Sequence, residues 1–100
     1  MATRANVRVE QGNKVQNFYH HWDGKPQVLC RCLEKMLRGK DTWVFEEICA
    51  ELSSGTVDPN CPFEPCNSPH GEIELDYTIS CDKRTLSYFR PTEKDGDYII

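Results

Sequence analysis

Phe18-Tyr19-His20-His21-Trp22-Asp23-Gly24 is the densest run of chemically capable residues in this 100-residue sequence. Imidazole titrates near neutral pH, and a neighbouring carboxylate can orient it as a general base. His21 with Asp23 is thus the pair that would serve a small hydrolase. On a strand, however, His20 and Trp22 face one side while Tyr19 and His21 face the other. The two histidines diverge and cannot hold one metal together. No spacing marks a nucleophile. A structural role also accounts for each residue: Trp22 packs beneath helices, Asp23 caps the next helix and Gly24 turns the chain. Binding is therefore expected before turnover, and no catalytic residue is assigned.

The six cysteines pose the second question. The sequence opens Met-Ala-Thr-Arg-Ala-Asn and runs straight into alternating residues, so it reads as free of a secretory signal. That reading places the chain in a reducing cytoplasm, where thiols stay free or bind metal. Cys61-Pro-Phe-Glu-Pro-Cys66 followed by His70 offers three ligands, and Cys81 a fourth. If zinc binds, this is the set. Structural zinc sites favour shorter spacings with less proline, so free thiols and no required cofactor are the expectation. Cys30 and Cys32 lie about 200° apart on a helix and cannot chelate one ion as a pair.

Charge gives the third signal. The formal net charge is −4, which disfavours a general nucleic-acid backbone binder. No apolar run reaches the ~18 residues of a membrane span. Glu46, Glu47 and Glu51 mark one helix face, and Glu72, Glu74 and Asp76 mark what reads as the open face of a sheet. Such a face can imitate phosphate and enter a basic groove on a partner; a solvated, solubilising surface accounts for it equally. Arg31, Lys35, Arg38 and Lys40 form a modest basic counter-patch around the first helix; such a patch can hold an anionic small molecule, but is more often simply the exposed face of the helix.

These residues need a scaffold. Ala5 to Glu10 alternates as a half-buried strand, Gln11-Gly12-Asn13-Lys14 turns, and Val15 to Trp22 returns. Pro26 opens a helix whose apolar positions are Leu29, Cys32, Leu33, Met36 and Leu37, and Gly39 stops it. Asp41 or Thr42 is placed to cap a second helix with the stripe Val44, Phe45, Ile48, Cys49 and Leu52. Residues 56–70 carry four prolines and no period, so a long irregular loop is expected at about 55–70. From Gly71 to Cys81, Ile73, Leu75, Tyr77, Ile79 and Cys81 alternate with polar residues. Asp82 to Thr85 turns, Leu86 to Arg90 pairs back, and Tyr98-Ile99-Ile100 can add a short strand. The expected fold is a single α+β domain over residues 1–100, ordered β-β-α-α-β-β. Its single antiparallel sheet has two helices on one face.

Two segments taken together resemble a group of small proteins from bacteriophages, prophages and gut bacteria that carry a Tyr-x-His-Trp-Asp-Gly-Tyr-Pro signature. Here the segments are Tyr19-His20-His21-Trp22-Asp23-Gly24-Lys25-Pro26 and His70-Gly71-Glu72-Ile73-Glu74-Leu75-Asp76-Tyr77. Lys25 stands where the signature has tyrosine, and Gln27-Val28-Leu29 replaces a glycine-rich helix start. The resemblance implies a phage origin and action in the bacterial host cytoplasm, but no reaction. In that setting the expected role is stoichiometric capture of a host protein, such as a defence or nucleic-acid enzyme, through Glu72, Glu74 and Asp76. The alternative is a sponge for an anionic signal such as a nucleotide. There, a homodimer pocket would use His20, His21 and Trp22 for stacking and Arg31 or Arg38 for phosphate.

Overall fold

The computed structural model describes residues 3–21, 26–58, 62–68, 73–90 and 97–98. The chain is α+β, and among those residues one six-stranded sheet carries the order β3-β2-β1-β4-β5-β6. Its elements are β1 (Ala5–Gln11), β2 (Lys14–His20), α1 (Arg31–Arg38), α2 (Phe45–Ser54), β3 (Glu64–Cys66), β4 (Leu75–Ser80), β5 (Thr85–Phe89) and β6 (Asp97–Tyr98). A single wide helical turn, Pro26–Cys30, leads into α1.

The core lies between the sheet and the helices. Ala5, Val7, Val9, Phe18, Leu75, Tyr77, Ile79 and Leu86 line the sheet side. Leu29, Leu33, Leu37, Ile48 and Leu52 come down from the helices. The alternation in β1 and β4 and the helical spacing in α1 and α2 thus bury the residues expected of them.

The sheet is mixed, not wholly antiparallel. β1 pairs β2 antiparallel, but it pairs β4 parallel, with Ala5 opposite Leu75 and Val9 opposite Ile79. The cause is the helix pair. β2 ends at His20, opposite Ala5. α1 carries the chain to the far end, where Arg84 donates to the Lys40 carbonyl at 3.4 Å. α2 starts at that far end, with its Phe45 N–H on Gln11 Oε1 at 3.0 Å. It returns the chain until Asp58 meets His20. Two helices bring the chain back to the end it left, so a strand laid beside β1 must run with it.

Three further features depart from the sequence expectation. β3 lies inside the proline-rich segment and pairs the outer edge of β2, with Pro65 opposite Phe18. An edge strand tolerates proline because one side of its ladder has no partner. The α2 cap comes from Gln11, not from Asp41 or Thr42, which are exposed; Val44 precedes the helix and offers no side-chain cap. Gly39 does end α1, but with a right-handed backbone at φ −81°; the left-handed glycine stop is Gly55 after α2, at φ +82°. The short last strand occupies Asp97–Tyr98. Ile99 and Ile100 lie outside the described residues.

Candidate anion-binding cleft

β2 ends the sheet with its two histidines turned apart, as a strand requires. His20 is fully buried on the helix-covered face. Its Nε2 lies 2.9 Å from Asp58 Oδ2, and its ring packs 4.7 Å from that of Phe63. His21 is half-buried on the opposite side, where the Tyr19 hydroxyl meets its Nδ1 at 2.9 Å. Trp22 and Asp23 lie outside the described residues. The structure does not bring the two histidines together: one ring is part of the core and the other faces away from it. His20 acts as a pin between β2 and the segment that follows α2.

Asp58 holds that segment against the fold. Immediately before it, Thr56 and Val57 form one wall of a half-open cleft of about 530 Å³. Arg31, Cys32, Lys35 and Met36 of α1 form the other wall, and Glu51 of α2 closes the side. The spacing explains the α1 wall. Positions 31, 32, 35 and 36 are neighbours along one helical strip, while Leu33 and Leu37 turn inward to the core.

The cleft is cationic within an acidic protein. Glu51, the one carboxylate on its wall, is engaged by the Lys40 ammonium. Arg38 is tied to Glu34 one turn away at 2.9 Å, so it does not join the cleft. Lys14 is tied to Glu46 at 3.1 Å. Among the described residues, Arg31 and Lys35 pair with no carboxylate. Like charges four residues apart cost an isolated helix about 0.2–0.5 kcal/mol, so α1 carries these two against its own stability.

Cys32 sits between them as a thiol, not a nucleophile. Burial raises its pKa, the Asp58 charge adds to the rise, and the Lys35 ammonium opposes it. Thiolate is the reactive form, so the raised pKa disfavours covalent chemistry here.

The acidic sheet face turns out otherwise than its alternation implies. Of the three carboxylates assigned to it, Glu72 lies outside the described residues and Glu74 is exposed. Asp76 is buried, with 5% exposure. Asn6 Nδ2 donates to Asp76 Oδ1 at 3.1 Å and to Asn17 Oδ1 at 3.0 Å. Arg8 approaches from the rim, 3.5 Å from Asn17 Oδ1 and 4.0 Å from Asp76 Oδ2. Tyr19 and Phe89 flank Asn6 and Asp76 in the same row across the sheet. Four neighbouring strands thus shield a polar centre that alternation alone assigns to water. Glu46 and Glu47 have a local role in the first turn of α2, where carboxylates favour the helix dipole.

Of the four cysteine and histidine ligands expected of a zinc site, the two described ones, Cys66 and Cys81, lie far apart. Cys66 lies on edge strand β3, opposite Asn17. Cys81 follows β4 on the helix-covered face and donates its N–H to the Glu10 carbonyl at 2.9 Å. Strands β3 and β4 are three spacings apart, or about 14 Å, so both sulfurs cannot reach one ion. Cys61 and His70 lie outside the described residues. Burial raises the Cys66 and Cys81 pKa values. No group of three metal-capable side chains occurs among the described residues.

The basic counter-patch was visible in the sequence, but its division was only partly so. Glu34, four residues before Arg38, is a pairing the spacing offers; that Lys40 is taken by Glu51 of the next helix was not legible. Asp58 and Asn6 carry no sequence signal of their own, since each acquires its role from a partner far along the chain. Comparison with protein families, curated proteins and solved structures found no match to this chain. No helix among the described residues is long and apolar enough to cross a membrane.

Proposed function

We propose that this protein works by binding, and that it takes up an anionic small ligand in the cleft between α1 and the segment after α2. One observation carries the reading: Arg31 and Lys35 stand unanswered in a concave site while Arg38 and Lys40 are each neutralised by a carboxylate. Concave, largely preformed sites of roughly 300–1,000 Å³ are where small ligands bind, and the cleft falls in that range. In the setting that the phage resemblance implies, such a protein acts stoichiometrically, by sequestering its ligand. Capture of a host protein through Glu72, Glu74 and Asp76 has less support, because Asp76 is enclosed by Asn6 and Arg8 and does not present its charge.

A thermal-shift screen of anionic compounds tests the reading. At least one compound raises the melting temperature. The rise shrinks with added salt and is lost in the Arg31→Glu/Lys35→Glu double variant. A screen in which no anion gives a shift dependent on those two residues overturns it.

A further inference from the structure

The chemistry of the cleft walls narrows the ligand beyond its charge. No aromatic ring lines the cleft among the described residues. Among the described residues, Phe18 and Tyr77 are committed to the core, Phe63 packs against His20, and Trp43 lies beneath the Arg84 guanidinium at 5.9 Å. A nucleobase is held best by an aromatic plane; here its only flat partner would be the Arg31 guanidinium, which the anionic head already claims. What the walls do offer is aliphatic. Met36, Val57 and Cys32 line the cleft together with Arg31 and Lys35, and Met36 and Val57 are partly buried against the core. Long basic side chains lay their methylenes along apolar surface while keeping the charge in water. Methionine is unbranched and adapts to an irregular or flexible contact. One turn before Cys32, Val28 is one of the two large hydrophobic side chains exposed among the described residues, at 40%.

We infer that the ligand is an alkyl carboxylate or a similar amphiphile, its anionic head held by Arg31 and Lys35 and its chain laid along Met36 and Val57. This rests on the anion-binding reading and names the class of ligand for it. The head is attracted by two unanswered cations, while the chain removes apolar wall from water. Neither half suffices in a half-open site. Two exposed cations alone bind a small anion weakly against salt, and a short apolar wall alone lacks direction.

Calorimetric titration of the full chain with hexanoate, octanoate and decanoate tests the inference, with inorganic phosphate and adenosine monophosphate as chain-free anions. Each buried methylene is worth at most about fourfold in affinity. In a half-open cleft the series is expected to tighten by about twofold to fourfold per methylene. Val57→Thr keeps the wall's shape but adds a hydroxyl, and it flattens that gain; Met36→Gln does the same from the opposite wall. The Arg31→Glu/Lys35→Glu variant weakens every member of the series. A flat series, or adenosine monophosphate binding as tightly as decanoate through Arg31 and Lys35, overturns the aliphatic assignment and leaves the anion reading standing. Loss of charge-dependent binding for every anion overturns both.

Discussion

His20 Nε2 and Asp58 Oδ2 lie 2.9 Å apart across 38 residues of chain, in the buried space between the end of β2 and the end of the helical layer. That one contact fastens the wall carrying Thr56 and Val57 to the sheet. Removing Asp58 takes away the hydrogen bond at the buried His20 Nε2, and losing a buried polar contact of this kind costs about 1–3 kcal/mol. Asp58→Ala is therefore expected to lower stability by that amount in urea denaturation. It should also weaken cleft binding more than Arg38→Ala does, because Arg38 lies outside the cleft. Unchanged stability would show that the contact holds nothing.

Arg31→Glu separates function from folding. The substitution removes a like-charge pair and places a glutamate four residues before Lys35, the favourable orientation. Stability is expected to rise by about 0.3–0.5 kcal/mol while anion binding falls. A parallel loss of both would mean that Arg31 serves the fold.

Gln11→Ala tests the cap supplied from β1. The Phe45 N–H loses its acceptor at the start of α2, and cap losses cost about 0.5–2 kcal/mol. Asp41→Ala and Thr42→Ala, at the two positions the sequence marks as caps, are expected to change stability little. Thermal melts of the three variants rank them directly.

Asp76 gives the fold a pH dependence of definite sign. Burial raises its pKa above the ordinary value of 3.8, against the lowering effects of the Asn6 amide and Arg8. The folded chain then holds the proton more tightly than the unfolded chain does. Where the two states differ, folding is favoured by protonation, so this group's contribution is most favourable below the unfolded value. It declines as pH rises through the folded one. Denaturation of the native chain and of Asp76→Asn at a series of pH values between 4 and 7 checks this. The native chain should lose stability relative to the variant as pH rises.

Alternation and helical spacing located both helices and the inward faces of β1 and β4, because burying one face is a local demand that the sequence must meet. The direction of β4 relative to β1 was not legible. It depends on which strand β4 lies beside, and no residue in Leu75–Ser80 declares that. β3 was hidden because its Pro65 is a strand breaker everywhere except at an edge. Asp76 misled for the opposite reason: its position in the alternation is the open one, and only Asn6 and Asn17, delivered by other strands, enclose it. Within the cleft, Arg31 was visible as a cation, but its lack of a carboxylate could be known only once Arg38 and Lys40 had found theirs.

β1 is the first of the six strands in chain order, yet it occupies the interior of the sheet, between β2 and β4. Its hairpin with β2 can close at once. Its other side, with Val7 and Val9 on the core face, must wait for Leu75–Ser80. During that interval the nascent chain presents an unzipped β edge, and such edges pair readily with other chains. Late closure over so long a span also slows folding. The two helices between β2 and β4 therefore do more than roof the core: the speed with which they dock sets how long a growing chain stays open to its neighbours.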